Sequence, residues 1–430
     1  MRTNYNIIIF TLSLFSVIAC EKGVVDNTRD SELRASLSDG IYAWVGPKSI
    51  MLTPEEQTTT SLLNGFTFDF FGQIRSERTD KNLVLSPLSA AVTLGLTASG
   101  ASGNTAEQII QVLGLEGLSA ESVGPYFSKL TKGLVAADPY IEIRLANGLW
   151  ADTNLTIKES FLTSADANFD AEFASTDFSD PESIRIINDW VSQKTDGMIP
   201  EVLDEFIPGC GLALVNALSF NGLWRYTFPV TENASFHSAS GNQEGVSMMH
   251  MICDLYYANV DGYEYIALPY GAGAFSMYLI LPPVKTAFSQ ATLSLNQWIN
   301  AKSALALYEV DIQVPSFTDN ASVELKEPLQ SLGITDAFSP VADFSPMTST
   351  PVYIGKALQK TRLEINEKGT SAAASTIEEF IFSSPGPSYL DGTEIQQLPK
   401  RSITADRPFF YMLVEESTGA ILFIGQKSSI

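Results

Sequence analysis

Glu367-Lys368-Gly369-Thr370-Ser371-Ala372-Ala373-Ala374-Ser375-Thr376 is unusual for its place in the chain. A glycine opens a run of small side chains, which is followed by Ile377 to Phe382 and the Pro/Gly/Ser-rich Ser383-Ser384-Pro385-Gly386-Pro387-Ser388. Small side chains lose little entropy on ordering and fit a crowded sheet interior, and Gly369 can turn through φ values closed to other residues. On composition alone two readings stay open. The run is either a flexible or loosely helical linker before the last hairpin, or a segment built to enter a sheet.

The flanks decide the fold class. After the run, Phe409 to Val414 and Ala420 to Ile424 flank Glu415-Glu416-Ser417-Thr418-Gly419, a hairpin signal. Before it, Tyr308 to Val314 alternates with period two, which buries one face, and Ser276 to Leu281 is apolar on both faces, as a central strand should be. Further back the pattern is helical. Leu62, Leu63, Phe66, Phe70, Phe71 and Ile74 recur at three- and four-residue steps from Thr58 onward, Ser89 to Leu96 continues as a second helix, and Asn104 to Gln108 reads as a cap followed by a third. Helices come first, strands dominate later and no composition break separates them. This predicts one α+β domain over residues 58–430.

The 430 residues carry 26 Lys+Arg against 49 Asp+Glu, a formal charge of −23. Nucleic acid is therefore not a partner, because tracking phosphates needs a dense basic face. His237, in a polar stretch, reads as a surface residue. His250, between Met249 and Met251, reads as a core or interface residue. HExxH, paired CxxC, G-x-S-x-G and phosphate-loop motifs are missing, so the sequence calls for no enzyme, cofactor or metal. A carboxylate pair of glycosidase type is not singled out by any residue.

The N-terminus reads as an address. Arg2 precedes an apolar run from Ile7 to Phe15, too short to span a bilayer, and Ser16-Val17-Ile18-Ala19 leads into Cys20. A small residue before a cysteine at this place matches a bacterial lipobox. Residues 1–19 would be removed and Cys20 lipidated, with an ordinary signal peptide as the other reading. Residues 20–57 lack periodicity and read as a linker to the globular body. The expectation is an exported monomer, held at the bacterial cell envelope (outer membrane or cell surface) by its N-terminal lipid only. Cys210 and Cys253 are left as buried free thiols or a bridge, which spacing does not decide.

Several stretches taken in order resemble the serpin family, from about Thr58 to Gly425. They are Asn82 to Ser89, Ala98 to Thr105 with Gln108, Asn188-Asp189-Trp190-Val191 ahead of Thr195 to Ile199, Val215 to Trp224, Ala342 to Ser345, Glu364 to Thr370, and Asp406-Arg407-Pro408-Phe409 through Thr418 to Gly425. Each alone is weak, and their joint order and spacing are specific. The resemblance implies three β-sheets, about nine helices and an exposed reactive-centre loop, about residues 367–405, offered as bait to a serine or cysteine protease. The protease becomes acyl-linked to the cut end, and the loop inserts as a strand in the main sheet. About fifteen residues beyond Gly369 reach roughly 50 Å at ~3.3 Å each, the length of a large domain.

The same resemblance assigns the hinge to Glu367, Gly369, Thr370, Ala372, Ala373, Ala374 and Thr376. On insertion Thr370, Ala372, Ala374, Thr376, Glu378, Phe380 and Phe382 face the core. The first four are small, which favours an inhibitor, whereas a buried unpaired Glu378 costs several kcal/mol. The usual spacing places the reactive bond at Ser383–Ser384, or Phe382–Ser383 one step earlier, which suits elastase-, chymotrypsin- or subtilisin-like targets. Lys400-Arg401 lies too far from the hinge and reads as a substrate nick on a long mobile loop. Ser86, Ser89 and Asn216 match a polar cluster where the central strands part, with Gln359 in place of the family's common histidine, and Trp224 matches the tryptophan where the loop first inserts. Two other functions compete: a non-inhibitory serpin acting as a binding protein or decoy, and a nutrient-capturing surface lipoprotein.

Overall fold

The computed structural model describes residues 33–38, 40–42, 45–118, 120–169, 171–205, 211–370 and 397–430. Cys20, Cys210, Ala372, Ala373, Ala374, Thr376, Glu378, Phe382, Ser383 and Ser384 therefore lie outside the described residues. Thr53 opens the first helix through a capping box: its hydroxyl accepts from the Glu56 N–H at 3.2 Å, and the Glu56 carboxylate accepts from the Thr53 N–H at 2.7 Å. Helix α1 (Pro54–Arg75) thus starts before the expected Thr58 and buries Leu63, Phe66, Phe70, Phe71 and Ile74. Leu62, read as part of that stripe, is 42% exposed because the burying face does not extend to it.

Strand β1 (Leu83–Leu85) leads through the Ser86 cap into α2 (Pro87–Ser99), a helix buried almost throughout. Ser102, rather than Asn104, sits at the cap of α3 (Gly103–Val112), and Asn104 instead donates to Asp336 at 2.6 Å. Then come α4 (Ala120–Ala136), β2 (Ile141–Asp152), α5 (Glu159–Phe169), β3 (Ala171–Thr176), α6 (Glu182–Lys194) and β4 (Leu212–Leu223). The chain continues through β5 (Val230–His237), β6 (Gln243–Val260), β7 (Tyr263–Tyr270), β8 (Phe275–Leu281), α7 (Leu295–Ala304), β9 (Ala306–Pro315), β10 (Phe317–Glu324) and α8 (Lys326–Leu332). It closes with β11 (Lys356–Asn366), β12 (Gly369–Thr370), β13 (Lys400–Thr404), β14 (Phe409–Glu415) and β15 (Ile421–Lys427).

Among the described residues, hydrogen bonding gathers the strands into two ladders. One has six strands in the order β10-β11-β12-β4-β2-β3. The other has nine, β1-β15-β14-β8-β7-β6-β9-β13 with β5 beside β6. The long β6 pairs with β5 over its first part, with β9 from Met248 to Tyr257 and with β7 at its end, so strands expected in two sheets share one ladder. The expected alternation holds in β9, where Val310, Ile312 and Val314 are buried, and β8 is buried on both faces.

A buried polar link joins the two ladders. Asp319 of β10 accepts from Lys427 of β15 at 2.8 Å and from the Tyr411 hydroxyl of β14 at 2.7 Å, with the Lys427 and Asp319 side chains 2% and 1% exposed. Burial pushes the Asp319 carboxyl above its ordinary range while the Lys427 ammonium pulls it back. Lys427→Met would strand that carboxylate, and equilibrium unfolding of the variant should show a loss of about 3–5 kcal/mol.

The second half of the expected linker is not free chain. The Ala35 N–H donates to Ile252, Ser38 to Arg225 and Lys48 to Ala137, at 3.0, 3.0 and 2.7 Å, and Leu33, Ile41 and Ile50 are buried. Ile252 lies just past the end of β5 along β6, so the segment occupies an edge that β5 leaves open.

Candidate functional site at the seam of the six-stranded sheet

β4 and β11 run parallel and pair directly at one end, from Lys356 opposite Ala213 to Gln359 opposite Asn216. The same register continued would bring Asn366 beside Leu223. Instead, both residues pair with Gly369, while Thr370 lies between Ile365 and Gly222. The seam is therefore parted at its far end by the first two residues of a new strand, antiparallel to both neighbours.

Local chemistry explains the reversal after β11. The Asn366 side-chain oxygen accepts from the N–H groups of Lys368 and Gly369 at 2.9 and 3.2 Å, which tightens the turn. Glu367 and Lys368 are its exposed tip. Gly369 has φ +150°, and a Cβ there would lie 2.1 Å from the Gly222 carbonyl oxygen and 2.7 Å from Leu223 Cα. No other residue fits between these backbones.

Trp224 closes the top. Its N–H donates to the Lys368 carbonyl at 2.9 Å, and its indole Nε1–H to the Asn366 carbonyl at 2.8 Å. Its ring stacks on Tyr270 with centroids 4.2 Å apart. The Tyr270 and Thr370 hydroxyls bond at 2.6 Å, and Thr370 is fully buried.

At the closed end, Ser86 and Gln359 exchange two hydrogen bonds. The Ser86 N–H donates to Gln359 Oε1 at 3.0 Å, and Gln359 Nε2 donates to the Ser86 carbonyl at 2.8 Å. Ser86 Oγ also donates to the Leu422 carbonyl and accepts from the Ser89 N–H. Ser89 Oγ has no partner among the described residues. Asn216 is placed by its backbone register opposite Gln359. The predicted positions Ser86, Ser89, Gln359 and Asn216 thus do meet at the junction of β4 and β11. Thr361, missed in the sequence, adds a bond to the Val84 carbonyl at 2.6 Å. Nothing in its local pattern signals this, since Val84 is distant in sequence. Tyr270 was missed for the same reason, whereas the role of Asn366 is local, a bond to the N–H groups two and three residues on, and its place ahead of a glycine was a turn signal.

Lys400-Arg401 does not lie on a mobile loop. Both residues belong to β13, which pairs in parallel with β9. Glu309 of β9 fixes this root: its N–H donates to the Pro399 carbonyl at 3.0 Å, Oε1 meets Lys400 at 2.6 Å and Oε2 meets Arg34 at 2.8 Å. The Lys400 contact is the first cause of a Glu309 carboxyl held below its ordinary range, followed on the lowering side by Arg34. Pairing in a sheet corrects the expected place on a mobile loop and argues against a ready nick, because a protease cleft needs an extended strand of its own. Brief trypsin digestion should leave the Lys400–Arg401 bond intact by peptide mass mapping.

His250 is buried, with Nε2 2.6 Å from Asp311, and Asp311 also faces Ser402 at 3.5 Å. The carboxylate stands between imidazole and hydroxyl, so His250 is not placed as a base for Ser402. His237 is exposed at the end of β5. Cys253 carries a free thiol, and burial pushes it up to about 12.

The sequence profile of one family, Serpin (serine protease inhibitor), matches residues 61–430. The leukocyte elastase inhibitor of Bos taurus is 32% identical, over 85% of this chain and 97% of its own. Among solved structures, the thermophilic serpin tengpin in its native state superposes with a TM-score of 0.77 at 26% identity, over 92% of this chain and 100% of tengpin. A thyroxine-binding globulin in complex with thyroxine gives a TM-score of 0.76 at 27% identity, over 86% and 99% of the two chains.

Proposed function

Because the chain belongs to the serpin family of serine protease inhibitors, we propose that it is an inhibitory member that traps its protease through loop insertion. The observation that carries this reading is the pair Gly369–Thr370, already hydrogen-bonded between β11 and β4 as the first rung of a new strand. The protease's serine oxygen attacks the carbonyl carbon of the bait bond at Ser383–Ser384, or at Phe382–Ser383. An ester forms to the residue before the cut, the peptide bond breaks, and the new α-amine leaves with the proton. The freed end then zips down the seam from Thr370. Ser86 and Gln359 hold the far end of the seam shut until the growing strand separates β11 from β4.

The run Ala372-Ala373-Ala374 with Thr376 supports insertion, since small side chains enter a crowded interior at little cost. Glu378 works against its last stage, where an unpaired carboxylate would face the core. Similarity to the elastase inhibitor, together with Phe382 and Ser383, points to elastase-, chymotrypsin- or subtilisin-like targets. The proposed setting is the bacterial cell envelope, with Cys20 lipidated, the chain monomeric and the lipid its sole membrane contact. Thyroxine-binding globulin shares the fold with a bound small molecule, so a carrier or decoy is the second reading.

Mixing the protein with elastase, chymotrypsin and subtilisin separates the two. An inhibitor gives an SDS-resistant complex with at least one of them, whereas cleavage without any such band favours the carrier.

A further inference from the structure

The Tyr270 hydroxyl is fully buried, and among the described residues it bonds to Thr370 alone. The backbone around it is fixed on every side. The Gly271 N–H donates to the Leu223 carbonyl at 2.9 Å, and the Arg225 N–H donates to the Pro269 carbonyl at 2.8 Å. Asp138 accepts from the N–H groups of Ala272 and Ala274 at 2.8 and 3.3 Å, so a buried carboxylate holds the turn after β7. The Trp224 stack then sets the ring itself. The phenol oxygen is thereby aimed at one place, the point in the seam that Thr370 occupies.

We propose that Tyr270 is a positioning residue for loop insertion, whose hydroxyl latches Thr370 in the sheet so that a cut loop zips from a seeded strand. This rests on the inhibitory reading above and assigns one step of it to a residue. If Thr370 left the seam, its own hydroxyl would be met by water, but the buried Tyr270 hydroxyl would lose its partner, an outcome that folded proteins avoid. If the seed were absent, the first pairs would have to fix several dihedrals before any ladder repaid them. That delay matters because insertion competes with hydrolysis of the ester.

The test uses the full chain and a protease that the wild type traps, and measures inhibitor consumed per protease trapped alongside the association rate. Tyr270→Phe keeps the ring and its stack, and Thr370→Val keeps the side-chain shape. Each should raise cleaved over trapped inhibitor, which is that consumption less one, roughly three- to tenfold, the rate equivalent of one hydrogen bond, with the association rate nearly unchanged. The double variant should be no worse than either single, and Thr370→Ser, which restores the hydroxyl, should return the ratio to wild type. A purely structural role would lower the melting temperature without this partition shift or this rescue. Unchanged ratios in both singles, or multiplied effects in the double, overturn the latch while the inhibitory reading stands. A wild type that is only cleaved by every protease contradicts the inhibitory reading itself. Should Tyr270→Phe fail to fold, Thr370→Val and Thr370→Ser decide the matter.

Discussion

Gly369→Val should turn the protein from an inhibitor into a substrate, still cut at the bait but forming no SDS-resistant complex. The reason is distance. Even a Cβ at residue 369 would stand 2.1 Å from the Gly222 carbonyl oxygen and 2.9 Å from the Trp224 nitrogen, both backbone atoms held by strand pairing. Relief requires the strand to leave the seam, which removes the seed and reverses the turn that Asn366 organises. A tenfold change in the partition between trapping and release needs only ~1.4 kcal/mol, and a backbone clash of this size costs more than that. Trapping should therefore fall below one tenth of wild type, read as complex on a gel against cleaved chain by mass. Thr370→Arg should act in the same direction through a different cause, a charge placed at a fully buried site. Trapping at the wild-type ratio by Gly369→Val would mean that the seam is not where the loop goes.

Cleavage of the intact protein at the bait should raise its apparent melting temperature by roughly 10–15 °C at a fixed scan rate. The seam between β4 and β11 is closed by direct pairing at Lys356 to Gln359 and filled by Gly369–Thr370 at the other end. A strand from Thr370 to Ser383 would supply both β11 and β4 with partners along their length. About one net hydrogen bond of ~1 kcal/mol per residue, with burial of alternate side chains, gives a gain on the order of 10 kcal/mol. An uncut chain holding that much unspent energy is kinetically trapped, so the comparison is between melting rates as much as equilibria. Digestion that leaves the transition in place would show that the loop stays outside the sheet.

What the sequence disclosed follows from how locally each feature is encoded. The stripe from Leu63 to Ile74 and the alternation of Val310, Ile312 and Val314 declare their buried faces through periodicity, because each segment packs one side against one core. Gly369 was legible because a single residue type satisfies its backbone, and Ser86 with Gln359 because the spacing of flanking motifs fixed their places. The docking of Leu33 to Ile50 left no pattern, since backbone N–H groups hold much of it and any side chain carries those. β13 was hidden for a related reason. It is an edge strand in which Ile403 alone is buried, so Lys400 and Arg401 look like loop residues. Tyr270 meets Thr370 across 100 residues of chain, and no local rule links such a pair. The stripe's outer boundary at Leu62 is set by where neighbouring elements stop, which tertiary packing alone decides.

The most direct test is the denatured intact mass of the product formed with elastase, chymotrypsin or subtilisin. Acyl trapping predicts one species whose mass is that of the protease plus that of the uncut chain used, less the peptide that begins at Ser384, or at Ser383 for the earlier bond. Finding the cut chain and the free, fully active protease with all three enzymes, and never their sum, would contradict it.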